Sequence, residues 1–200
     1  RRPNKRFAQP VGVECLAMIN DEFKILFTGP MGAGKTTAIT VLSDQECVST
    51  DVVNTDIDQC DKAMTTAALD YGYIDIPGGG GVRLYGTPGQ ERFRFMWPIL
   101  ANNAAGVIVL LNGEHPDLYS HLSIFVDAFW EQGAMPMVIG IGRLGNEDFE
   151  IIESVADTLL ERHISPPIFS VDVREKDDVL LLVEALLCQI EVNEMGMMEA

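Results

Sequence analysis

Positive charge is scarce in this sequence. Its 200 residues contain 14 Lys and Arg against 30 Asp and Glu, which gives a net charge of −16. Nucleic-acid backbones and anionic membrane surfaces are bound by clustered cations, so this composition argues against both as partners. The chain also lacks an apolar run of the roughly 18 residues that a membrane-spanning helix needs, and its last residues carry no prenylation cysteine. We therefore expect no direct membrane anchor.

Cysteine is equally scarce, and no two cysteines form a Cys-x-x-Cys pair. The four are Cys15, Cys47, Cys60 and Cys188. A chain of this length can bury a core without disulfide bridges, so free thiols in a reducing, cytoplasmic compartment are expected. The three histidines are isolated and lack the spacing of zinc ligands. These absences argue against a disulfide-stabilised scaffold and against a zinc site.

Apolar segments with strand and helix patterns alternate along the chain. The predicted strands are 23–28, 71–76, 82–85, 105–111, 137–141 and 168–171, and the predicted helices are 35–43, 121–132, 150–163 and 179–191. This alternation predicts an α/β fold with a six-stranded, mostly parallel sheet and helices on both faces. The glycine-rich run 77–81 predicts a hairpin, and hence one antiparallel edge strand. The acidic stretch 44–62 is predicted to be a long loop.

Length and apolar content predict one main domain. Apolar residues make up 47% of the chain, enough for a sizeable core. Residues 1–20 are basic near their start and show no period, so they are assigned to an N-terminal arm. The domain is expected to span 21–193, followed by a tail at 194–200.

The strongest local signal is a glycine-rich motif between the first strand and the first helix. Residues 29–36 read Gly-Pro-Met-Gly-Ala-Gly-Lys-Thr and match G-x-x-x-x-G-K-S/T. Glycines let backbone N–H groups surround phosphate oxygens, Lys35 adds a positive charge, and the Thr36 hydroxyl can bind Mg²⁺. The predicted nucleotide ligands in this region are Gly29, Met31, Gly32, Ala33, Gly34, Lys35, Thr36 and Thr37. The motif predicts the P-loop NTPase class of fold.

A second motif follows the hairpin. Residues 84–93 read Leu-Tyr-Gly-Thr-Pro-Gly-Gln-Glu-Arg-Phe. In this pattern the Gly89 N–H can contact a γ-phosphate, and Gln90 can orient an attacking water. With both motifs in place, residues 20–192 resemble the Ras-like small GTPases. The wording Thr-Pro-Gly-Gln-Glu-Arg-Phe is most similar to their bacterial, gliding-motility-type branch.

The resemblance implies a molecular switch that binds GTP and GDP with Mg²⁺ and hydrolyses GTP slowly. Its switch segments would be 44–70 and 88–97, and its partner a regulator or effector protein, with roadblock-type proteins as one class. Thr66 would bind the metal together with Thr36, because 66–71 looks like the Thr-x-x-x-Asp-Phe that ends the first switch; Thr65 is the nearby alternative. Arg92 is either a catalytic arginine or a solvated one. The apolar residues of 93–97 are either core or a regulator's surface.

Three positions depart from the family pattern. Gly86 replaces the aspartate that usually holds a Mg²⁺-bound water. Met31 occupies a position that is glycine in Ras, where a side chain can crowd Gln90. Residues 142–145 read Gly-Arg-Leu-Gly where the family has Asn-Lys-x-Asp. Because the family's aspartate accepts two N–H groups of guanine, its loss should weaken discrimination by several kcal/mol.

Other residues remain for base recognition. Arg143 matches the family's basic residue, and Asp172, after the last strand, is either a base acceptor or an ordinary loop residue. Residues 146–148, Asn-Glu-Asp, lie several positions out of register for the missing carboxylate. An alternative to the GTP-hydrolysing switch is therefore a degenerate switch that keeps the fold but lacks guanine specificity and hydrolysis. A P-loop kinase or ATPase is a further one, although the stretch 145–165 offers only Arg162 for a lid.

Overall fold

The computed structural model describes residues 23–44, 48–52, 67–75, 80–130, 135–145 and 148–198. The strands are β1 (Phe23–Thr28), β2 (Val48–Val52), β3 (Ala67–Asp75), β4 (Gly81–Gly86), β5 (Gly106–Asn112), β6 (Met137–Gly142) and β7 (Ile168–Ser170). The helices are α1 (Lys35–Leu42), α2 (Trp97–Ala101), α3 (Leu118–Trp130), α4 (Asp148–Leu160) and α5 (Lys176–Met198), and a 3₁₀ helix spans Glu91–Met96 before α2.

The described strands form one sheet in the order β2-β3-β4-β1-β5-β6-β7. Strand β1 lies at the centre and pairs in parallel with β4 and β5, and β6 and β7 continue the parallel arrangement. Strand β3 runs antiparallel to both of its neighbours, β2 and β4. The predicted α/β class with a mostly parallel sheet is thus confirmed.

The predicted strand count and the position of the antiparallel strand were wrong. Within the described residues the sheet has seven strands rather than six, because β2 forms inside the segment that was assigned to a long loop. By pairing with β3, it moves the antiparallel strand from the edge to the second position. Residues 48–52 read Val-Ser-Thr-Asp-Val, an alternation of β-formers with polar residues that the surrounding acidic residues obscured.

Element boundaries differ from the prediction mainly at two places. Strand β3 begins at Ala67, so it also includes residues that were assigned to the first switch. Helix α5 runs from Lys176 to Met198, whereas the predicted helix covered 179–191 and left 194–198 to a tail. In both cases the backbone hydrogen bonding of the element continues past the apolar residues from which the element was predicted.

Apolar side chains alternate between the two faces of the sheet, and each face is covered by helices. From β1, Ile25 and Phe27 join one fully buried layer with Ile39 of α1. Leu26 joins the opposite layer, where Trp97 and the aromatic residues of α3 are also buried. Helices therefore pack on both faces, as predicted.

The parallel strands β1, β4, β5, β6 and β7 share one direction, so the loops that follow them meet at one edge of the sheet. Both sequence motifs and the 143–145 and 171–175 segments lie in these loops. Among the described residues, no helix combines the length and apolar character needed to cross a bilayer.

Candidate functional site

A glycine-rich loop, residues 29–34, joins β1 to α1. Gly34 is the last residue before α1 and has φ of 95°, the left-handed conformation that glycine adopts without strain. A Cβ there would also lie 2.7 Å from Cγ2 of Val173. In the described part of the chain no side chain caps the start of α1. The N–H groups of its first turn therefore lie at the positive end of the helix dipole without a side-chain cap.

Lys35 is the buried cation of this loop, with only 8% of its surface exposed. Its Nζ donates to the carbonyl oxygens of Gly29 and Pro30, both at 2.8 Å. An ammonium has three N–H donors, so within the described residues one is left for an external acceptor. Burial lowers the pKa of Lys35 to about 8, while the carboxylate of Asp70 acts in the opposite direction. An anion at the third donor would stabilise this buried charge.

Asp70 on β3 is the site residue that sequence reasoning missed. Its carboxylate is buried, and Oδ2 accepts a hydrogen bond from the Thr36 hydroxyl at 2.6 Å. Strand register places Asp70 opposite Gly86, and a Cβ on Gly86 would lie only 3.0 Å from the same Oδ2. The carboxylate therefore fills space that a side chain at position 86 would need. The register of β3 against β4 brings Asp70 next to Gly86, and the sequence does not show this register.

The carboxylate of Asp70 and the hydroxyl of Thr36 form an oxygen pair of the kind that Mg²⁺ prefers. Within the described residues, no group of three or more His, Cys, Asp or Glu side chains is placed to hold a metal ion by itself. Thr66, the other predicted metal ligand, and its alternative Thr65 lie outside the described residues.

A cleft of about 530 Å³ lies over this loop and contains most of the predicted phosphate-site residues. The predicted residues that line it are Met31, Gly32, Gly34, Lys35, Thr36, Thr37, Gly89, Gln90 and Arg143. Asp70, Thr87, Pro88 and Phe93 complete the lining. Of the other two loop residues assigned to the nucleotide, Gly29 contributes its carbonyl oxygen to Lys35, and Ala33 lines a neighbouring cleft.

The segment 87–90 packs directly on the glycine-rich loop. A Cβ on Gly89 would lie 2.6 Å from the Met31 amide nitrogen and 2.7 Å from Lys35 Nζ, so only glycine fits. Thr87 anchors the segment to β1, since its N–H donates to the Phe27 carbonyl at 2.9 Å and its hydroxyl hydrogen-bonds with that of Thr28 at 2.8 Å. Gly89 thus lies in direct contact with the glycine-rich loop and with Lys35 in this conformation.

Gln90 and Met31 are in contact, as the sequence led us to expect. The Gln90 amide lies 3.7 Å from the Met31 sulfur, and the Met31 side chain is 74% exposed. Arg92, by contrast, is not brought to the cleft. Its guanidinium lies 4.8 Å from the centroid of the Phe93 ring, on the exposed side of the 3₁₀ helix.

The apolar residues after Gln90 divide between core and surface. Phe93 and Trp97 are buried, whereas Phe95 is 68% exposed. Phe93 and Trp97 are therefore core residues, whereas a regulator surface at this segment stays a prediction that concerns Phe95.

A second cleft, of about 560 Å³, opens beside the first at the ends of β5, β6 and β7. Arg143 lines both clefts, and its Nη2 donates to the Gly32 carbonyl at 3.3 Å. Arg143 also has a positive φ of 55°, which is uncommon outside glycine. The hydrogen bond to Gly32 connects the segment after β6 to the glycine-rich loop.

Asp172 lines the second cleft, but its carboxylate is already engaged. It accepts hydrogen bonds from the backbone N–H of Arg174 at 3.0 Å and from the Arg174 Nε at 2.8 Å. These hydrogen bonds lower the pKa of Asp172 to about 2. The other acid in the lining, Asp178, accepts the backbone N–H of Asp172 at 2.9 Å. Among the described side chains of this cleft, each carboxylate thus has a protein partner; Asn146 and Glu147 lie outside the described residues.

Comparison with known proteins gives one distant relative and no family assignment. No protein-family model matches the chain. Over 95 residues, or 48% of the chain, the sequence is 30% identical to the uncharacterized protein MJ1339 of Methanocaldococcus jannaschii. The match covers 54% of that protein, so the chain spans about half the length of this curated relative. The name of the relative states no activity.

Proposed function

We propose that the protein is a nucleotide-dependent switch of the small-GTPase type, which binds GTP and GDP with Mg²⁺ and hydrolyses GTP slowly. The observation that carries the proposal is the environment of Lys35. Within the described residues, this buried ammonium with a lowered pKa donates two hydrogen bonds and keeps its third donor for a ligand, beside a helix start that has no side-chain cap. A chain of phosphates supplies the negative charge that this arrangement favours.

In this proposal the glycine-rich loop binds the β- and γ-phosphates through its backbone N–H groups and Lys35. Thr36 and Asp70 would hold Mg²⁺, since their oxygens are adjacent at 2.6 Å and oxygen ligands suit this ion. Bound Mg²⁺ would neutralise negative charge on the phosphate oxygens. Asp70 then takes the role of the acid that is absent at Gly86, from the neighbouring strand.

Gln90 is proposed to orient the attacking water, and Gly89 to contact the γ-phosphate. Gln90 must leave the Met31 sulfur to do so, because its amide is in contact with that atom. This competing contact supports slow rather than fast hydrolysis. A contribution from Arg92 would require its guanidinium to leave the ring of Phe93.

The second cleft is proposed to receive the base, with Arg143 between base and phosphates. Guanine as the base rests on the family resemblance alone. The engagement of Asp172 by Arg174 supports a second candidate: a degenerate switch that binds nucleotides with little choice of base. Single-turnover assays with GTP and ATP separate the two, because the degenerate switch hydrolyses neither.

A regulator or effector protein is proposed as the partner that reads the nucleotide state. Phe95, five residues after Gln90, is exposed, and aromatic side chains are enriched in protein interfaces, so this segment is the proposed contact. Roadblock-type proteins remain one class of candidate through the family resemblance.

The central test is Lys35→Ala, measured by calorimetric titration of the full chain with GDP and GTP in the presence of Mg²⁺. The charge-assisted hydrogen bond from the remaining donor of Lys35 to phosphate is lost. Such a bond is worth about 1.5–3 kcal/mol, so affinity should fall at least about 10-fold.

Lys176→Ala is the matched control. Lys176 is exposed, lies 3.9 Å from the Asp44 carboxylate at the surface, and is not among the residues that line either cleft. The affinity of the Lys176→Ala protein for GDP and GTP should equal that of the unsubstituted chain. Undiminished binding by folded Lys35→Ala protein, with circular dichroism as the check on folding, would refute the proposal.

A further inference from the structure

Trp97, the first residue of α2, connects the segment 87–90 to the core. Its side chain is fully buried, with its ring 4.6 Å from that of Phe125 and 6.2 Å from that of Phe129, measured between centroids. Its indole N–H donates to the carbonyl oxygen of Pro88 at 3.0 Å. A buried indole N–H needs a partner, so this hydrogen bond fixes Pro88 relative to α3.

Pro88 is bonded directly to Gly89, which leaves no room between its own Cα and Lys35 Nζ. A Cβ on Gly89 would already be 2.7 Å from Lys35 Nζ and 2.7 Å from the carbonyl carbon of Pro30. A phosphate group is larger than a methyl group, so none fits between Gly89 and Lys35 in this conformation. A terminal phosphate can enter there only if Gly89 moves outward, and Pro88 must move with it.

We propose that Trp97 is a positioning residue that holds the 88–89 segment over the terminal phosphate position, so that a triphosphate must displace this segment whereas a diphosphate need not. The inference rests on the proposed nucleotide site and deepens it. The hydrogen bond from Trp97 to Pro88 lowers the affinity for triphosphate selectively. Trp97 thereby sets the ratio between triphosphate and diphosphate affinities.

Trp97→Phe tests this directly, because the ring keeps most of its packing against Phe125 but loses its N–H. The net contribution of a neutral hydrogen bond is about 1 kcal/mol, which corresponds to about five-fold in affinity. We expect the affinity for a non-hydrolysable GTP analogue to rise about five-fold, and that for GDP to stay unchanged, in calorimetric titrations with Mg²⁺.

Trp130→Phe is the matched control, since the chain has two tryptophans and, in the described part of the chain, Trp130 makes no hydrogen bond to the 87–90 segment. Its triphosphate and diphosphate affinities should both equal those of the unsubstituted chain. The same variant leaves Trp97 as the sole indole. The fluorescence of Trp97 should then change when the GTP analogue is added and stay constant when GDP is added, a readout that does not require Trp97 itself to be altered.

Two results would overturn the inference while leaving the proposed function intact. One is a Trp97→Phe protein that binds both nucleotides with unchanged affinity, or with both affinities shifted alike. The other is weaker triphosphate binding by this variant, which would mean that Trp97 holds Gly89 in the binding position instead. If the unsubstituted chain binds neither nucleotide, the proposed function fails and this inference fails with it.

Discussion

The lowered pKa of Lys35 predicts that nucleotide affinity falls as the pH rises. In the free protein this pKa is about 8, mainly because burial disfavours the charged amine. Bound phosphates favour the ammonium and raise its pKa, so binding above pH 8 requires the uptake of a proton. With a free-state pKa of about 8 and a much higher bound-state value, affinity is about two-fold weaker at pH 8 than at low pH. At pH 9 it is about ten-fold weaker.

The unliganded protein should show the opposite trend in stability. Lys35 has a pKa of about 8 when folded and an ordinary value of 10.5 when unfolded. Between these values the unfolded chain binds more protons, so this residue makes the free energy of unfolding rise with pH. The difference of 2.5 units corresponds to at most about 3 kcal/mol. Denaturant unfolding of the ligand-free protein, compared with a Lys35→Met variant, measures the contribution.

The assay for affinity is calorimetric titration with GDP at pH 7, 8 and 9, in two buffers of different ionisation enthalpy. Proton uptake should grow from about 0.1 per site at pH 7 to about 0.9 at pH 9. Lys35→Arg is the control, because arginine stays charged over this range and any ionisation of the base affects it equally. Equal pH dependence in the two proteins, or affinity that is constant up to pH 9, would show that Lys35 does not take up a proton when the nucleotide binds.

Three further predictions concern the other groups of the two clefts. Asp70→Asn should abolish most of the gain in triphosphate affinity that Mg²⁺ provides, as measured by titration with and without the ion; a retained gain would contradict the assignment of Asp70. Met31→Gly should raise the single-turnover hydrolysis rate several-fold by releasing Gln90, and an unchanged rate would show that this contact does not limit hydrolysis. Because Arg174 engages Asp172, IDP, which lacks the 2-amino group of guanine, should bind within about two-fold of GDP in competition titrations. A loss of ten-fold or more on removing that amino group would indicate that a carboxylate reads guanine.

The sequence predicted most of the fold because the informative signals are local. The apolar runs of β1, β5 and β6 and the glycine-rich motif were each visible in one window of sequence, and each element lies close to its predicted position. Strand β2 was missed because its main-chain pairing with β3 decides its structure, and the acidic residues around it favoured a loop.

Asp70 was missed for the same reason as β2, because strand pairing decides its position. Gly86 suggested a missing metal ligand, and only the register of β3 against β4 brings Asp70 to that point from the neighbouring strand. The contact between Met31 and Gln90 was predictable, because both positions belong to motifs with known relative geometry. The hydrogen bond of Trp97 to Pro88 was not, since the sequence shows that the residue is apolar but not which carbonyl its N–H reaches.

The most direct test of the proposed function is a crystal structure of the full chain grown with GDP and Mg²⁺. We predict that the β-phosphate lies within hydrogen-bond distance of Lys35 Nζ and of the backbone N–H groups of the glycine-rich loop. The metal ion should lie beside Thr36 and Asp70, and the base in the second cleft. A nucleotide bound elsewhere on the protein, or an empty cleft at saturating GDP, would contradict the proposed function.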